Sequence, residues 1–311
     1  MKKLKYIVAL TTRENDYQME QAEAAQEMAS RLGIQLELLY ADNDAIQQSQ
    51  QLLKVIQSST EAHPDGIIFE PVGGTALPQV ARAAAASGIA WVVLNREVEY
   101  ISELRTLYKL PVFSISSDHE QIGRIQGEQI KALLPRTGNV LLIQGPTESL
   151  AAKQRTTGMF ETKSVGVQVK LMKANWTEAG AYKAVVSWLK LSTSQNAEID
   201  LIAAQDDSMA IGARKAFQEI TDSALRAVWM KVPFLGIDGV RATGQAWVQQ
   251  GLLRATVVVP PNTGKAIEML THALQTTTMP PAKTLTPAKS FPAVEELAKK
   301  PIQKAQAAKT N

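Results

Sequence analysis

The sequence predicts an α/β fold in two Rossmann-like lobes, each a parallel sheet covered by crossover helices. Short β-rich runs recur along the chain, and each is followed by a longer segment whose apolar residues keep helical spacing. This pattern plays through once, breaks, and restarts near Asp118. At 311 residues the chain is long for one core and comfortable for two.

The first lobe opens on the apolar run Tyr6 to Leu10. Met1-Lys2-Lys3-Leu4-Lys5 resembles the basic start of a signal peptide, but the apolar run is too short for one and reads as the first strand. A helix follows with Met19, Ala22, Ala25, Met28 and Leu32 on one face, ended by Gly33. Strand Ile34 to Leu39 comes next, then a helix carrying Ile46, Leu53 and Ile56. Pro64-Asp65-Gly66 turns the chain into the buried strand Ile67-Ile68-Phe69. Val72-Gly73-Gly74-Thr75 holds an isolated glycine pair, which reads as a turn and not as a phosphate loop. Helix Leu77 to Ser87, strand Trp91 to Leu94 and the strand-like Val112 to Ser116 complete the lobe.

The second lobe repeats the grammar: helix Ile122 to Leu134, strand Asn139 to Gln144, helix Leu150 to Thr162 and strand Gln168 to Lys173. Helix Thr177 to Leu191, strand Leu201 to Ala204, helix Ser208 to Ile220 and strand Phe234 to Ile237 continue it, before helix Arg241 to Gln250 and strand Ala255 to Val259. Pro260-Pro261 interrupts the run, because proline removes a ladder donor and starts helices well, so Asn262 to Leu274 reads as a fresh helix. Beyond Thr276 the chain is rich in Pro, Thr and Lys, and Pro301 to Asn311 reads as a frayed tail.

Composition narrows the function. Hydrophobic residues at 45% and charged residues at 20% fit an ordinary soluble globular protein. The net charge of +3 comes from scattered Lys and Arg with no basic stripe, so nucleic acid is not implied. No cysteine is present, which removes disulfides, thiolate metal sites and a Cys nucleophile. His63, His119 and His272 lack metal-ligand spacing, so neither a metal nor a cofactor is expected. No apolar stretch approaches the roughly 18 to 20 residues that span a bilayer.

Open α/β sheets bind ligands at the carboxyl ends of their strands, and here those positions are polar. Arg13, Glu14, Asn15 and Asp16 follow the first strand, Asn95 and Arg96 the fourth, Asp206 and Asp207 the run Ala203-Ala204-Gln205, and Asp238 follows Gly236-Ile237. Carboxylates accept from hydroxyls and arginine donates in a fixed fork, a mixture suited to a polyhydroxylated or zwitterionic small molecule.

Four stretches make the pattern specific. They are Val93-Leu94-Asn95-Arg96; Ala151-Ala152-Lys153-Gln154-Arg155 followed by Gly158-Met159-Phe160; Ala204-Gln205-Asp206-Asp207-Ser208-Met209-Ala210-Ile211-Gly212-Ala213; and Gly236-Ile237-Asp238-Gly239. With them the chain, from Tyr6 to Leu274, resembles the periplasmic sugar-binding proteins of the ribose-binding type, whose fold the lac-repressor effector domain shares. The resemblance implies the type I periplasmic binding protein fold with a three-crossing hinge. The lobes would be 1–116 plus 260–283 and 117–259 plus 284–297, with 298–311 a flexible tail. It also implies a non-enzymatic, monomeric solute-binding protein of the periplasm that closes on a small ligand and then docks on a membrane permease for ABC-type uptake, or on a receptor. Carried over by position, Asn15, Tyr17 and Arg96 would line the first-lobe wall, and Arg155, Asp206 and Asp238 would answer from the second. Trp176 would stack on the apolar face of a sugar. Two positions depart from the family: its Asp before Arg is Asn95 here, and its polar side chain near the end of the strand Val257-Val258-Val259 is absent. Asn95 cannot supply a charge-assisted acceptor for hydroxyls, and Val259 supplies none. Arg13, Arg96 and Arg155 together would suit an anionic ligand instead.

Blander readings stand beside these. Arg96 and Arg155 fit ordinary surface charges when taken without their motifs. Asp207 suits helix capping, leaving Asp206 for the ligand, and Asp238 also fits a helix start. Trp176 and Tyr17 serve equally as packing residues. An enzyme would have to use Asp206 and Asp238 as a carboxylate pair on a sugar. A DNA-binding regulator would need a helix-turn-helix ahead of residue 6, where the sequence leaves no room. A cytoplasmic sensor without DNA-binding parts is the remaining alternative.

Overall fold

The computed structural model describes residues 3–59, 63–73, 76–195 and 197–302. Met1 and Lys2, Gly74 and Thr75 of the expected turn, and residues 303–311 of the expected tail lie outside the described residues. The chain divides into two compact units. Met1–Asp118, Glu148–Ala151 and Pro260–Pro287 form the first; His119–Thr147, Ala152–Val259 and Ala288–Asn311 form the second.

Numbered along the whole chain, the first unit holds β1 (Lys5–Leu10), β2 (Gln35–Tyr40), β3 (Gly66–Phe69), β4 (Ala90–Leu94), β5 (Val112–Ser117) and β11 (Lys283–Thr286). They form one parallel sheet in the order β11-β5-β4-β3-β1-β2. Its helices are α1 (Asp16–Leu32), α2 (Ala45–Ile56), α3 (Pro78–Ala86), α4 (Ile101–Tyr108) and α12 (Thr263–Thr276). Alternate strand residues feed two cores, as a pleated strand between two helical layers requires. Ile7, Ile67, Phe69, Trp91 and Val93 join Leu52, Val80 and Leu104 on one face; Tyr6, Val8, Ile68, Val92 and Leu94 join Ala25, Ile267 and Leu270 on the other. Gly33 ends α1 at φ 68°, the left-handed conformation that glycine adopts without penalty.

Two expectations for the helix faces are corrected. In α1 the covered stripe runs through Gln21, Ala22, Ala25 and Ala29, and α12 packs on it; Met19 is turned off the stripe and Leu32 ends the helix, so each is 39% exposed. Ile46 lies in the first turn of α2 and is 70% exposed, while Leu52 takes the buried position.

The second unit carries β6 (Thr137–Gln144), β7 (Gly166–Lys173), β8 (Leu201–Ala204) and β9 (Phe234–Leu235), parallel in the order β7-β6-β8-β9. The expected strand to Ile237 is short because past Leu235 only isolated bridges continue it, Leu235 to Ala255 and Asp238 to Val258. α5 (His119–Leu133) and α6 (Leu150–Thr162) contribute Ile130, Leu133 and Met159 to one core. α7 (Glu178–Leu189), α9 (Asp207–Gln218) and α10 (Ser223–Trp229) contribute Val185, Phe217 and Trp229 to the other. α8 (Ser192–Gln195) is a single turn after α7, and a wide π-helical turn, Arg241–Gln245, leads into α11 (Ala246–Gln249) where one regular helix was expected.

The region after Thr276 is more ordered than its composition suggests. β11 adds to β5, so the crossing into the second unit falls at Pro287–Ala288 and not at 283–284. β10 (Thr256–Val258) then pairs antiparallel with β12 (Lys289–Phe291). α13 (Val294–Ala298) buries Leu297 to 2% exposure, and Ile302 donates its N–H to the Leu133 carbonyl at 2.9 Å. Residues 298–302, expected in the flexible tail, are therefore docked.

One crossing positions a site residue. α5 and α6 meet where Gly123 faces the Arg155 backbone carbonyl and Gly158 faces that of Glu120, and a Cβ at either position would run into backbone. Gly123→Ala is expected to lower stability by roughly 1–3 kcal/mol by forcing the helices apart, read as a lower midpoint in urea unfolding.

Candidate functional site

In the first unit, side chains at the carboxyl ends of the strands form one hydrogen-bonded chain. Asn15 caps α1, its Oδ1 accepting from the Gln18 N–H at 3.2 Å. Gln18 Nε2 donates to Glu70 Oε2 at 3.0 Å, and the same oxygen accepts from Asn95 Nδ2 at 3.1 Å. Asn95, just past β4, sits at φ 54°, a backbone state that Asn tolerates better than most residues. Its Oδ1 accepts from Asn262 Nδ2 at 2.7 Å, and Asn262 Oδ1 accepts from the Thr286 hydroxyl at 2.8 Å. From Gln18 to Thr286, side-chain bonds thus link the ends of β3, β4 and β11 and the starts of α1 and α12.

The other first-unit candidates separate. Tyr17 is 7% exposed and donates its hydroxyl to the Pro260 carbonyl at 3.3 Å. Arg96 donates to the Gly73 carbonyl, and burial pushes its guanidinium below the ordinary arginine pKa. Arg13 lies elsewhere: its guanidinium stacks 4.3 Å over the Tyr40 ring, in a groove along α1 and β2 with Leu36 and Leu38.

In the second unit the arrangement centres on Arg155, which is only 6% exposed. Its guanidinium donates to the Gln205 carbonyl, lies 3.8 Å from Asp238 Oδ1 and 5.5 Å over the Trp176 ring, and its Nε is buried with no hydrogen-bond partner among the described residues. Gln205 is itself clamped: its Nε2 donates to Ala152 O and Thr156 Oγ1, both at 2.9 Å, and its Oε1 accepts from the Gly145 N–H at 3.0 Å. Asp238 follows β9 at φ 106° and is held through its backbone, its N–H donating to Val257 at 2.9 Å and its carbonyl accepting from Val259 at 2.9 Å.

The capping role expected of Asp207 falls to Asp206. Asp206 is the cap of α9, its Oδ1 accepting from the Met209 N–H at 2.5 Å. Asp207 turns inward at 2% exposure and accepts from the Gly239 N–H and the Thr256 hydroxyl, both at 2.7 Å. The reason is geometric: the residue before the first helical turn presents its side chain to the free N–H groups, and the next one points along the helix flank.

Sequence reasoning missed Glu70, Gln18, Asn262, Thr286 and Gln205. Glu70 had a usable signal, a carboxylate directly after the fully apolar strand Ile67-Ile68-Phe69 and before Pro71.

The family model of the periplasmic binding protein domain matches residues 6–277 of this chain. The chain belongs to that family. A putative rhizopine-binding protein of Rhizobium meliloti is 30% identical over 219 residues, covering 69% of this chain and 64%, just under two thirds, of that protein. A D-apiose import binding protein of Paraburkholderia graminis is 26% identical over 259 residues, covering 82% of this chain and 76% of its own length. Among solved structures, an ABC transporter periplasmic solute binding protein from Actinobacillus succinogenes with bound D-allose superposes with a TM-score of 0.79 at 20% identity, over 96% of this chain and all of that one. This last likeness concerns the fold: two α/β lobes with parallel sheets, the type I periplasmic binding protein architecture.

Proposed function

We propose that this member of the family is a non-catalytic solute-binding protein for a neutral sugar or cyclitol-like polyol. The observation that carries the reading is the Arg155 cluster: a buried guanidinium with an unpartnered Nε, a carboxylate beside it and an indole face under it. A ring hydroxyl both donates and accepts, so it meets Arg155 and Asp238 at once, while the C–H face of a sugar ring suits Trp176. Asn15, Tyr17, Asn95 and Arg96 serve from the first lobe, with Asp206 joining from the second. Glu70, held against Asn95, supplies the carboxylate that Asn95 lacks. With Glu70, Asp206 and Asp238 as acceptors, and Arg13 engaged on Tyr40, a neutral polyol is favoured over an anion. The names of the relatives, which refer to a rhizopine, D-apiose and D-allose, support a polyhydroxylated ring. Uptake as a periplasmic monomer, by closing on the ligand and docking on a permease, follows the family.

A thermal-shift screen of sugars, cyclitols and polyols tests this. A ligand at about one hundred times its Kd stabilises by about 2.7 kcal/mol, so a rise of several degrees in Tm is expected with at least one neutral ring compound. A flat response to all of them overturns the reading. With the responding compound in hand, a smaller radius of gyration in solution scattering is expected on closure and, where that compound is a sugar, no release of product from its aryl glycosides.

A further inference from the structure

The second unit holds another cavity, at the amino end of β9 where the Arg155 cluster is at the carboxyl end. Its volume is about 600 Å³; the half-buried Val248 and Leu252 give it an apolar floor, while Phe234 is buried at 1% exposure. Among the described residues, Arg214, Lys231, Arg254, Lys299 and Lys300 stand around that floor against a single carboxylate, Glu296. Five cations less one anion is a local excess of four, more than the chain's whole formal charge of +3.

Arg214 gives the excess its significance. It projects from α9 with its guanidinium 5.6 Å over the Phe234 ring, and it has neither an ion pair nor a hydrogen bond among the described residues. Burial pushes its pKa below the ordinary value, the direction expected for a desolvated cation. Arg254 is fixed beside it, its N–H donating to the Phe234 carbonyl at 2.7 Å and its Nη2 to the Lys300 carbonyl at 2.8 Å. Partly buried cations are ordinarily paired, because an uncompensated charge costs free energy.

We infer that this cavity is a second binding site for a small organic anion, with a carboxylate or phosphate head on Arg214 and an aromatic or aliphatic body on the Val248 and Leu252 floor. The site is independent of the polyol reading: it uses another end of the sheet, other residues and the opposite ligand charge. Its bifunctional lining excludes the simpler ligands. Inorganic phosphate leaves the floor wet, and an uncharged aromatic leaves Arg214 unpaired.

Titration calorimetry with 2-naphthyl phosphate, 2-naphthoate, 2-naphthol and inorganic phosphate tests the inference. One or both naphthyl anions are expected to bind at least about tenfold more tightly than naphthol or phosphate, since a charge-assisted contact is worth about 1.5–3 kcal/mol. Which of the two wins identifies the head group. Arg214→Gln is expected to remove that advantage and Arg214→Lys to keep part of it, while Asp238→Asn leaves it unchanged. Should Arg214→Gln fail to fold, Lys299→Glu at the exposed rim is expected to weaken the anions several-fold without affecting naphthol. Equal affinity for naphthol and the anions, no binding of either anion, or wild-type anion binding in the Arg214→Gln or Lys299→Glu protein overturns the inference.

Discussion

Asp207→Ala is expected to destabilise the protein by about 3–5 kcal/mol, from two stranded buried donors at about 1–3 kcal/mol each together with the cavity left behind. Asp207 joins three segments that are distant in sequence: it leads α9 and accepts from Gly239 after β9 and from Thr256 in β10. Gly236 and Gly244 lie so close to its carboxylate that a Cβ on either would collide with it. Alanine would therefore strand a buried N–H and a buried hydroxyl around a void that glycine backbone cannot fill. Asp207→Asn keeps the shape and one acceptor and is expected to lose about half as much. Asp206→Ala removes the cap of α9 and is expected to cost about 1 kcal/mol in the unliganded protein. Urea midpoints for the three variants check the assignment, and equal losses for Asp206→Ala and Asp207→Ala would refute it.

How much of this was legible in the sequence depends on whether a feature is written in local pattern. Strands such as Ile67-Ile68-Phe69 and Trp91-Val92-Val93-Leu94 are continuous apolar runs, so the sheets, and with them the positions of Asn95, Arg96 and Asp238, could be read directly. β11 could not, since Lys283-Thr284-Leu285-Thr286 is half exposed and is held by its ladder to β5 more than by burial. α4 buries only Ile101 and Leu104, too few to register as a period. In the site, residue type pointed to Arg155 and Asp238, but not to the bonds from Glu70 to Gln18 and Asn95, which join residues 52 and 25 positions apart. Arg13 shows the converse: a loop guanidinium read as a ligand group stacks on Tyr40, 27 residues later, a contact that no local pattern announces.

Asp238→Asn is expected to weaken binding of the polyol by about 2–4 kcal/mol, roughly 30- to 1000-fold in Kd. The substitution is chosen for its backbone: Asp238 sits at φ 106°, which asparagine tolerates better than alanine, so a loss of affinity reports on the charge and not on a displaced turn. Removing that charge leaves Arg155, 6% exposed and 3.8 Å away, without its nearby carboxylate, and replaces a charged acceptor for hydroxyls by a neutral one. Two effects are thereby mixed, and the unliganded protein separates them. If Asp238 serves only to neutralise Arg155, the substitution lowers the Tm of the free protein and leaves Kd unchanged. If it contacts the ligand, Kd rises by far more than the change in free stability accounts for. Arg155→Met, which keeps the packing against Trp176 and removes the cation, closes a double-mutant cycle. A coupling energy near zero between the two positions, measured on ligand affinity, would mean that guanidinium and carboxylate do not hold the same hydroxyls, and the cluster would lose its place as the centre of the site.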